Sequence, residues 1–404
     1  MAYIPPHKRH SSSKPSPTPE KFIPQFEKKL SRGLHARKGQ HSSHSGKYAY
    51  APISISRWLP IGLMDDGLCP PSVKLLSIPC EVIGRRSAEN PWAFVHDRLS
   101  KDENEMKRSS IKSPWLSITE EILSDLQTAA QHLRREMDIE DSLLIRPSLV
   151  ARFGKIFFHG GPSIEPDNIL KSAGNKVHTF YTSIPDSYVE FVQSVAIPRL
   201  AVEFESEKEH YHVKVYDKLR PKSTISCKCT VKKDGGGLVI LVMELNQVRH
   251  LVVDVSCLDK DLDVRLMLYT KTLITNLTEE EEQGIRELIN SAVIDPDVRG
   301  GVRWPLGKQT FLDRFSVVGV WHTKYRAFRS PMMRLKLRNA DRFDFRTSMG
   351  ERAEEVTLKM TGMAKQLLDR KAEESLNALM LKEMLRLIWE NFLSCQCSFT
   401  WSPK

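Results

Sequence analysis

The stretch AVEFESEKEHYHVKVYDKLRPKSTISCKCTVKKDGGGLVILVMELNQVRHLVVDVSCLDKDLDVRLMLYT, Ala201–Thr270, decides the fold because it reads as successive β-strands with turn chemistry between them. Tyr211, Val213 and Val215 alternate with His210, His212, Lys214 and Tyr216, the period of two expected of a strand with one buried face. Ile225, Cys227, Cys229 and Val231 form the next apolar row, and Asp234-Gly235-Gly236-Gly237 supplies a tight turn where positive φ costs little. Leu238–Leu245 is apolar except at Glu244, so burial on both faces is expected there. Leu251, Val253, Val255 and Cys257, then Leu262, Val264, Leu266 and Leu268, form two more rows. The block is expected to be an antiparallel meander.

Helical periods flank it. Ser117 and Glu120 have capping-box spacing, followed by Ile118, Ile122, Leu126, Ala129, Leu133 and Met137 on one face. Thr278 and Glu281 repeat that signal ahead of Ile285, Leu288 and Ile289, and Leu376, Leu379, Met380, Met384, Leu387 and Ile388 give the last helix its stripe. Further strands are expected at 150–158, 315–322, 334–338, 342–346 and 356–360. The fold class that follows is α+β, a mainly antiparallel sheet, open or partly closed, flanked by helices. The expected divisions are a disordered basic tail at 1–50, a partly ordered extended segment at 51–113, a main α+β domain at 114–394 and a C-terminal tail at 395–404.

Charge is unevenly spread. The formal net charge of the 404 residues is +10, yet the first fifty hold ten Lys or Arg against Glu20 and Glu27, so the basicity belongs chiefly to the tail. That tail is rich in Ser, Pro and His and has no period, a composition that cannot offset the entropy of ordering. Seven cysteines, several in apolar strand rows, suit reduced thiols better than a secreted disulfide framework. No run approaches about 18 consecutive apolar residues, so no membrane insertion is expected. A cytoplasmic or nuclear location is expected, with organelle import as a lesser alternative.

Candidate chemistry lies on the polar rows. Lys214, Lys228, Lys232, Arg265, Arg334, Lys336, Arg338, Arg342, Arg346 and Lys359 stand against Asp254, Asp263 and Asp344, which concentrates cations where an anionic ligand could lie. With Lys8 and Arg9 of the tail, Lys214, Lys228, Arg265, Arg334, Lys336, Arg338, Arg342 and Arg346 are the candidate contacts to RNA or another polyanion. His210 and His212 invite a zinc site with Cys227 and Cys229, but the row assignment puts the two pairs on opposite faces. No metal, cofactor or catalytic residue is expected.

Two resemblances add to this. Met1-Ala2-Tyr3-Ile4-Pro5-Pro6-His7-Lys8-Arg9-His10-Ser11, with Glu209-His210-Tyr211-His212-Val213, Gly300–Lys308, Val318–Thr323 and Ala340–Arg346, resembles a family of uncharacterised plant proteins, a domain of unknown function. The Tyr-Ile-Pro-Pro-His segment is also similar to one near the N-terminus of DEAD-box RNA helicases, which implies a protein partner at Tyr3–Arg9. In those proteins a Leu follows five residues after the Tyr; here that position is Lys8.

Glu203, Glu205 and Glu207, followed by strand-borne cations, look like the Glu-x-Glu-x-Lys strand of the triphosphate tunnel hydrolases. That resemblance implies carboxylates holding a divalent cation, with Arg and Lys binding a triphosphate. Here the third member is Glu207, and the opposed parity of Phe204 and Val213 suggests a turn at 206–209. The expected role is therefore noncatalytic binding of RNA or another polyanion rather than catalysis. The alternatives are a metal-dependent triphosphate-tunnel-like phosphohydrolase and a protein-interaction scaffold.

Overall fold

The computed structural model describes residues 49–81, 83, 89–97, 113–139, 144–160, 165–171, 178–221, 224–233, 236–371 and 373–395. Lys8, Arg9, the Tyr3–Arg9 motif and nearly all of both expected tails lie outside the described residues. In chain order the elements are β1 (Ala49–Ile61), β2 (Val73–Ser77), β3 (Trp92–His96), α1 (Pro114–Ile139), β4 (Ile145–Phe158), α2 (Pro166–Lys171) and β5 (His178–Tyr181). Next come α3 (Asp186–Phe191) and α4 (Ile197–Arg199), joined by a π-helical turn, then β6 (Glu203–Asp217), β7 (Thr224–Val231), β8 (Leu238–Leu245), β9 (Val248–Cys257) and β10 (Asp263–Thr272). The chain continues through α5 (Glu279–Asn290), β11 (Val293–Ile294), β12 (Val302–Arg303), β13 (Thr310–Phe311), β14 (Phe315–Arg329), β15 (Arg334–Asp344), β16 (Met349–Lys359), α6 (Thr361–Leu368) and α7 (Glu374–Asn391).

Alternation along the strands builds a long sheet in the order β1-β9-β10-β4-β16-β15-β14-β6-β7-β8. Its ladders are antiparallel except for β1 on β9. The sheet curls until β8 reaches β10, meeting it at the Glu244–Leu273 bridge and where the Ile274 N–H donates to the Met243 carbonyl at 3.1 Å. Elsewhere that edge of β10 is occupied by β9. The result is an open, curled sheet whose β8 and β10 touch at one end.

Helices cover the outer side. Ile118, Ile122, Leu126, Ala129 and Leu133 of α1 are buried with Leu149, Ala151 and Phe153 of β4, Leu335 and Leu337 of β15, Val356 and Leu358 of β16, and Leu385 and Ile388 of α7. A second core puts Ile285, Leu288 and Ile289 of α5 against Tyr211, Val213, Cys227, Cys229 and Val320. The apolar row of each strand thus supports a helix, which leaves the alternate row facing the inside of the curl.

Several local expectations change. The meander breaks in two, because β8 and β9 pair with different neighbours. The strand β8 is an edge with Val239 and Leu241 exposed rather than one buried on both faces. Residues 206–209 are strand, and the parity reverses at a bulge where Ala327 pairs with Ser206 and Phe328 with Phe204. That leaves Glu205 as the extra residue of the bulge. The two strands expected at 334–338 and 342–346 are one, since Ala340 is a buried member of β15. The helix α1 begins at Pro114, so Ser117 lies inside it, whereas Thr278 and Glu281 do form a capping box on α5. Cys69, Cys80, Cys227, Cys229 and Cys257 form no disulfide, but Cys395 is disulfide-bonded.

Candidate functional site

The polar rows converge inside the curl on a cavity of about 140 Å³, lined by residues of β4, β6, β7, β10, β14 and β15 and by the end of β8 with Asn246 and Gln247. Arg152, Lys214, Lys271, Arg338 and Arg342 supply five cations to its wall. His212, Ser226, Asn246, Gln247, Tyr269, Trp321 and Thr323 supply polar or aromatic groups, and no Asp or Glu is among the lining residues. Since a cavity needs about 10–15 Å³ to hold one water, this one accommodates a ligand on the order of ten heavy atoms. A smaller cavity of about 20 Å³ adjoins it, sharing Lys214, Asn246 and Trp321 and adding Asp344 and Arg346.

One carboxylate anchors the wall from behind. Glu355 of β16, nearly fully buried, accepts from the Thr182 hydroxyl at 2.7 Å, from Arg338 Nη1 at 3.3 Å and from Arg342 Nη2. Burial alone would raise its pKa, but Arg342, Arg338 and Arg152 outweigh that and hold the carboxyl well below the usual range. It fixes two guanidinium groups and still leaves buried donors without partners. Arg152 Nε, Arg338 Nε and Gln247 Nε2 have no partner within the protein, which leaves three buried donors around one cavity. The Lys214 ammonium lies 4.7 Å from the Trp321 ring centroid and the Arg342 guanidinium carbon 5.5 Å from it, which positions both cations against the wall.

Crowded cations tune one another. Burial, with Arg338, Arg334, Lys228 and Lys271, lowers Lys336 to about 7. Burial with Lys228, Lys208 and Lys336 lowers His210 to about 4. His212 falls for the same reasons, burial first and then Lys214 and Lys271. These histidines are neutral at neutral pH and can donate or accept one hydrogen bond at each ring nitrogen.

Of the residues singled out in the sequence, Lys214, Arg338 and Arg342 line the cavity. Lys228 is paired across the ladder with His212, and Lys336 is packed over the Tyr325 ring at 4.3 Å, both on the inward row. Arg334 is drawn to Glu205 at 2.5 Å. Arg346 is bound to Asp344 beside the smaller cavity. Arg265 is engaged elsewhere, gripping buried Asp254 through two hydrogen bonds of 2.6 Å with His178 on the same carboxylate. The expected row Arg334, Lys336 and Arg338 does share one face, but that face turns into the curl. Arg152 and Lys271 escaped sequence reading, although each occupies the polar parity of an alternating strand. Cys227 and Cys229 pack into the outer core under α5 while His212 lines the cavity.

A metal ion is poorly served here. Among the described residues no three His, Cys, Asp or Glu side chains are grouped to hold one. Glu205 is held by Arg334 and Arg329, Glu244 by Lys271, and Glu355 by two arginines. The residues present do not fit a resident divalent cation.

Known proteins give limited company. No curated protein matches the chain. Among solved structures it is similar to the S. pombe RNA triphosphatase Pct1, at 9% identity over 72% of this chain and 95% of that one, with a TM-score of 0.39. The same enzyme in complex with the Spt5 CTD matches 65% of this chain and 90% of its own at 9% identity, with a TM-score of 0.38. A conserved hypothetical protein of Pyrococcus furiosus matches 61% of this chain and 94% of its own at 9% identity, with a TM-score of 0.24.

Likeness this loose transfers no activity. The cavity itself corrects the expectation of noncatalytic binding through an open basic face. That expectation supposed a face open to solvent, whereas the cations wall a cavity. Residues 42–392 match the model of one family, so the chain belongs to the family described as domain of unknown function DUF7903.

Proposed function

We propose that the cavity holds the triphosphate, or another short polyphosphate, of a substrate, and that the chain acts on its phosphoanhydride. One observation carries this reading: five cations and three unpartnered buried donors surround a cavity with no carboxylate in its lining. Arginine forks match phosphate oxygens in pairs, and Arg152 and Arg338 have nitrogen to offer. In hydrolysis, water attacks the terminal phosphorus as the bond to the bridging oxygen breaks, and the electron pair leaves with the shorter phosphate. The protons of water pass to the phosphate products and solvent. The chain's contribution is electrostatic, fixed cations neutralising charge that shifts to the leaving oxygen.

On this reading an RNA partner presents its 5′-terminal phosphates, because a cavity of about 140 Å³ admits a few phosphates and not a folded strand. The test compares tripolyphosphate, ATP and 5′-triphosphorylated RNA with 5′-hydroxyl RNA, measuring binding and phosphate release. Arg152→Met keeps the side-chain volume and removes a cation, so affinity should fall about ten-fold or more, the worth of one charge-assisted hydrogen bond. Equal binding of 5′-triphosphate and 5′-hydroxyl RNA, or unchanged affinity in the variant, would remove the cavity from consideration.

A further inference from the structure

We infer that this cavity takes its polyphosphate free of divalent metal, the wall cations standing where a carboxylate-held ion would otherwise neutralise the phosphates. The inference rests on the polyphosphate reading above and narrows it to one ionic form of the ligand. Its ground is the donor set. Magnesium is held in proteins by one or two carboxylates with substrate phosphates and water, in near-octahedral geometry.

Four carboxylates at or near the wall, those of Glu355, Glu244, Glu205 and Glu351, are already engaged by cations. Glu355 gives one oxygen to Thr182 and Arg342 and the other to Arg338. Glu244 Oε2 meets Lys271 Nζ at 2.7 Å. At the rim, Glu205 takes Arg334 at 2.5 Å and Arg329 at 3.7 Å, and Glu351 lies 3.6 Å from Arg342. For a dication to bind Glu355 it must displace two arginines, stranding them in a buried wall of other cations. A metal-free polyphosphate does the reverse, because it brings acceptors to Arg152 Nε, Arg338 Nε and Gln247 Nε2 and breaks no existing pair. Magnesium-complexed polyphosphate carries two fewer negative charges and has some of its oxygens already coordinated, so it satisfies fewer of these donors.

The experiment is calorimetric titration of the full chain with tripolyphosphate, once with EDTA and once with magnesium in excess of the ligand, at ionic strength held constant with KCl. Tight binding in EDTA, weakened about ten-fold or more by magnesium, is expected, corresponding to the loss of one charge-assisted contact. Binding that requires magnesium, or tightens with it, overturns the inference and leaves the polyphosphate reading standing. No binding under either condition removes both.

A second measurement works without polyphosphate. Manganese added to the ligand-free protein should show no bound-ion signal by electron paramagnetic resonance that disappears in Glu355→Gln or in the rim variant Glu205→Gln. A signal lost in either folded variant would establish carboxylate-held metal and overturn the proposal. Glu205→Gln is included because Glu205 is exposed at the rim, where the fold tolerates the change even if Glu355→Gln does not fold.

Discussion

Proton uptake at Lys336 should set the pH dependence of polyphosphate binding. Its ammonium faces Arg334 and Arg338 on its own strand and Lys228 and Lys271 from β7 and β10, with the Tyr325 ring beneath it. Burial and these four cations bring it to about 7, so half the free protein carries the charge at pH 7. At pH 9 about one molecule in a hundred does. A bound polyanion reverses the local field and returns the amine toward its ordinary value near 10, so binding takes up a proton above pH 7. Affinity should then fall by somewhat less than about ten-fold for each pH unit between 7 and 9, roughly fifty-fold in all.

His210, at about 4, is neutral throughout this window and does not contribute. Titration calorimetry in two buffers of different ionisation enthalpy measures the uptake directly. The ligand's own protonation is common to wild type and Lys336→Met, so the difference between the two belongs to Lys336. Identical pH slopes in the two proteins, or no difference in proton uptake at pH 8, would refute the reasoning.

Other expectations concern stability. Without ligand, Lys336 binds a proton less readily in the folded state than in the unfolded one, so stability should rise as pH increases from 7 toward 10, and Lys336→Met should abolish that rise in urea denaturation curves. Asp254, held at about 2 by Arg265 and His178 against the opposing effect of burial, should withdraw on the order of 2 kcal/mol as pH falls from about 4 to 2, and Asp254→Asn should remove that acid limb. Gly300 has φ +79°, and an added Cβ would stand 2.4 Å from Val320 Cγ1, so Gly300→Ala should lower the thermal midpoint, with a cost of about 1–3 kcal/mol for the backbone strain alone. Thr278→Ala breaks the capping box of α5 and should cost about 1 kcal/mol in the same assay.

The strand rows were legible because alternation is local: Tyr211, Val213 and Val215 declare a buried face within five residues. What lies opposite that face is not local. Whether Arg338 meets open water or a walled cavity depends on the pairing of β15 with β14 and β16 and of β4 with β10, contacts between segments far apart in the chain. The same limit hid Arg152 and Lys271, which look like ordinary solvated cations until the sheet curls. The opposed parity of Phe204 and Val213 was visible, but a one-residue bulge produces the same signature as a turn. Only the ladder with β14 distinguishes them. Lys214, Arg338 and Arg342, which line the cavity, could be singled out as candidates because a polar row carries its chemistry in its composition. Arg265 is not among the cavity-lining residues, its partner Asp254 lying on the neighbouring strand β9 at the facing position.

The two-sidedness of these strands has a consequence for engineering. On β4, β15 and β16, the residues that pack under helices alternate with the residues that face the cavity, so one set can be rewritten while the other is kept. Replacing Arg152, Lys214 and Lys271 by acids, together with a charge swap of the Arg338, Arg342 and Glu355 group as one unit, would leave the α1 and α7 contacts of Leu335, Leu337, Val356 and Leu358 untouched. The shell is in that sense a reusable container, with an interior that can be relettered to receive a ligand of opposite charge.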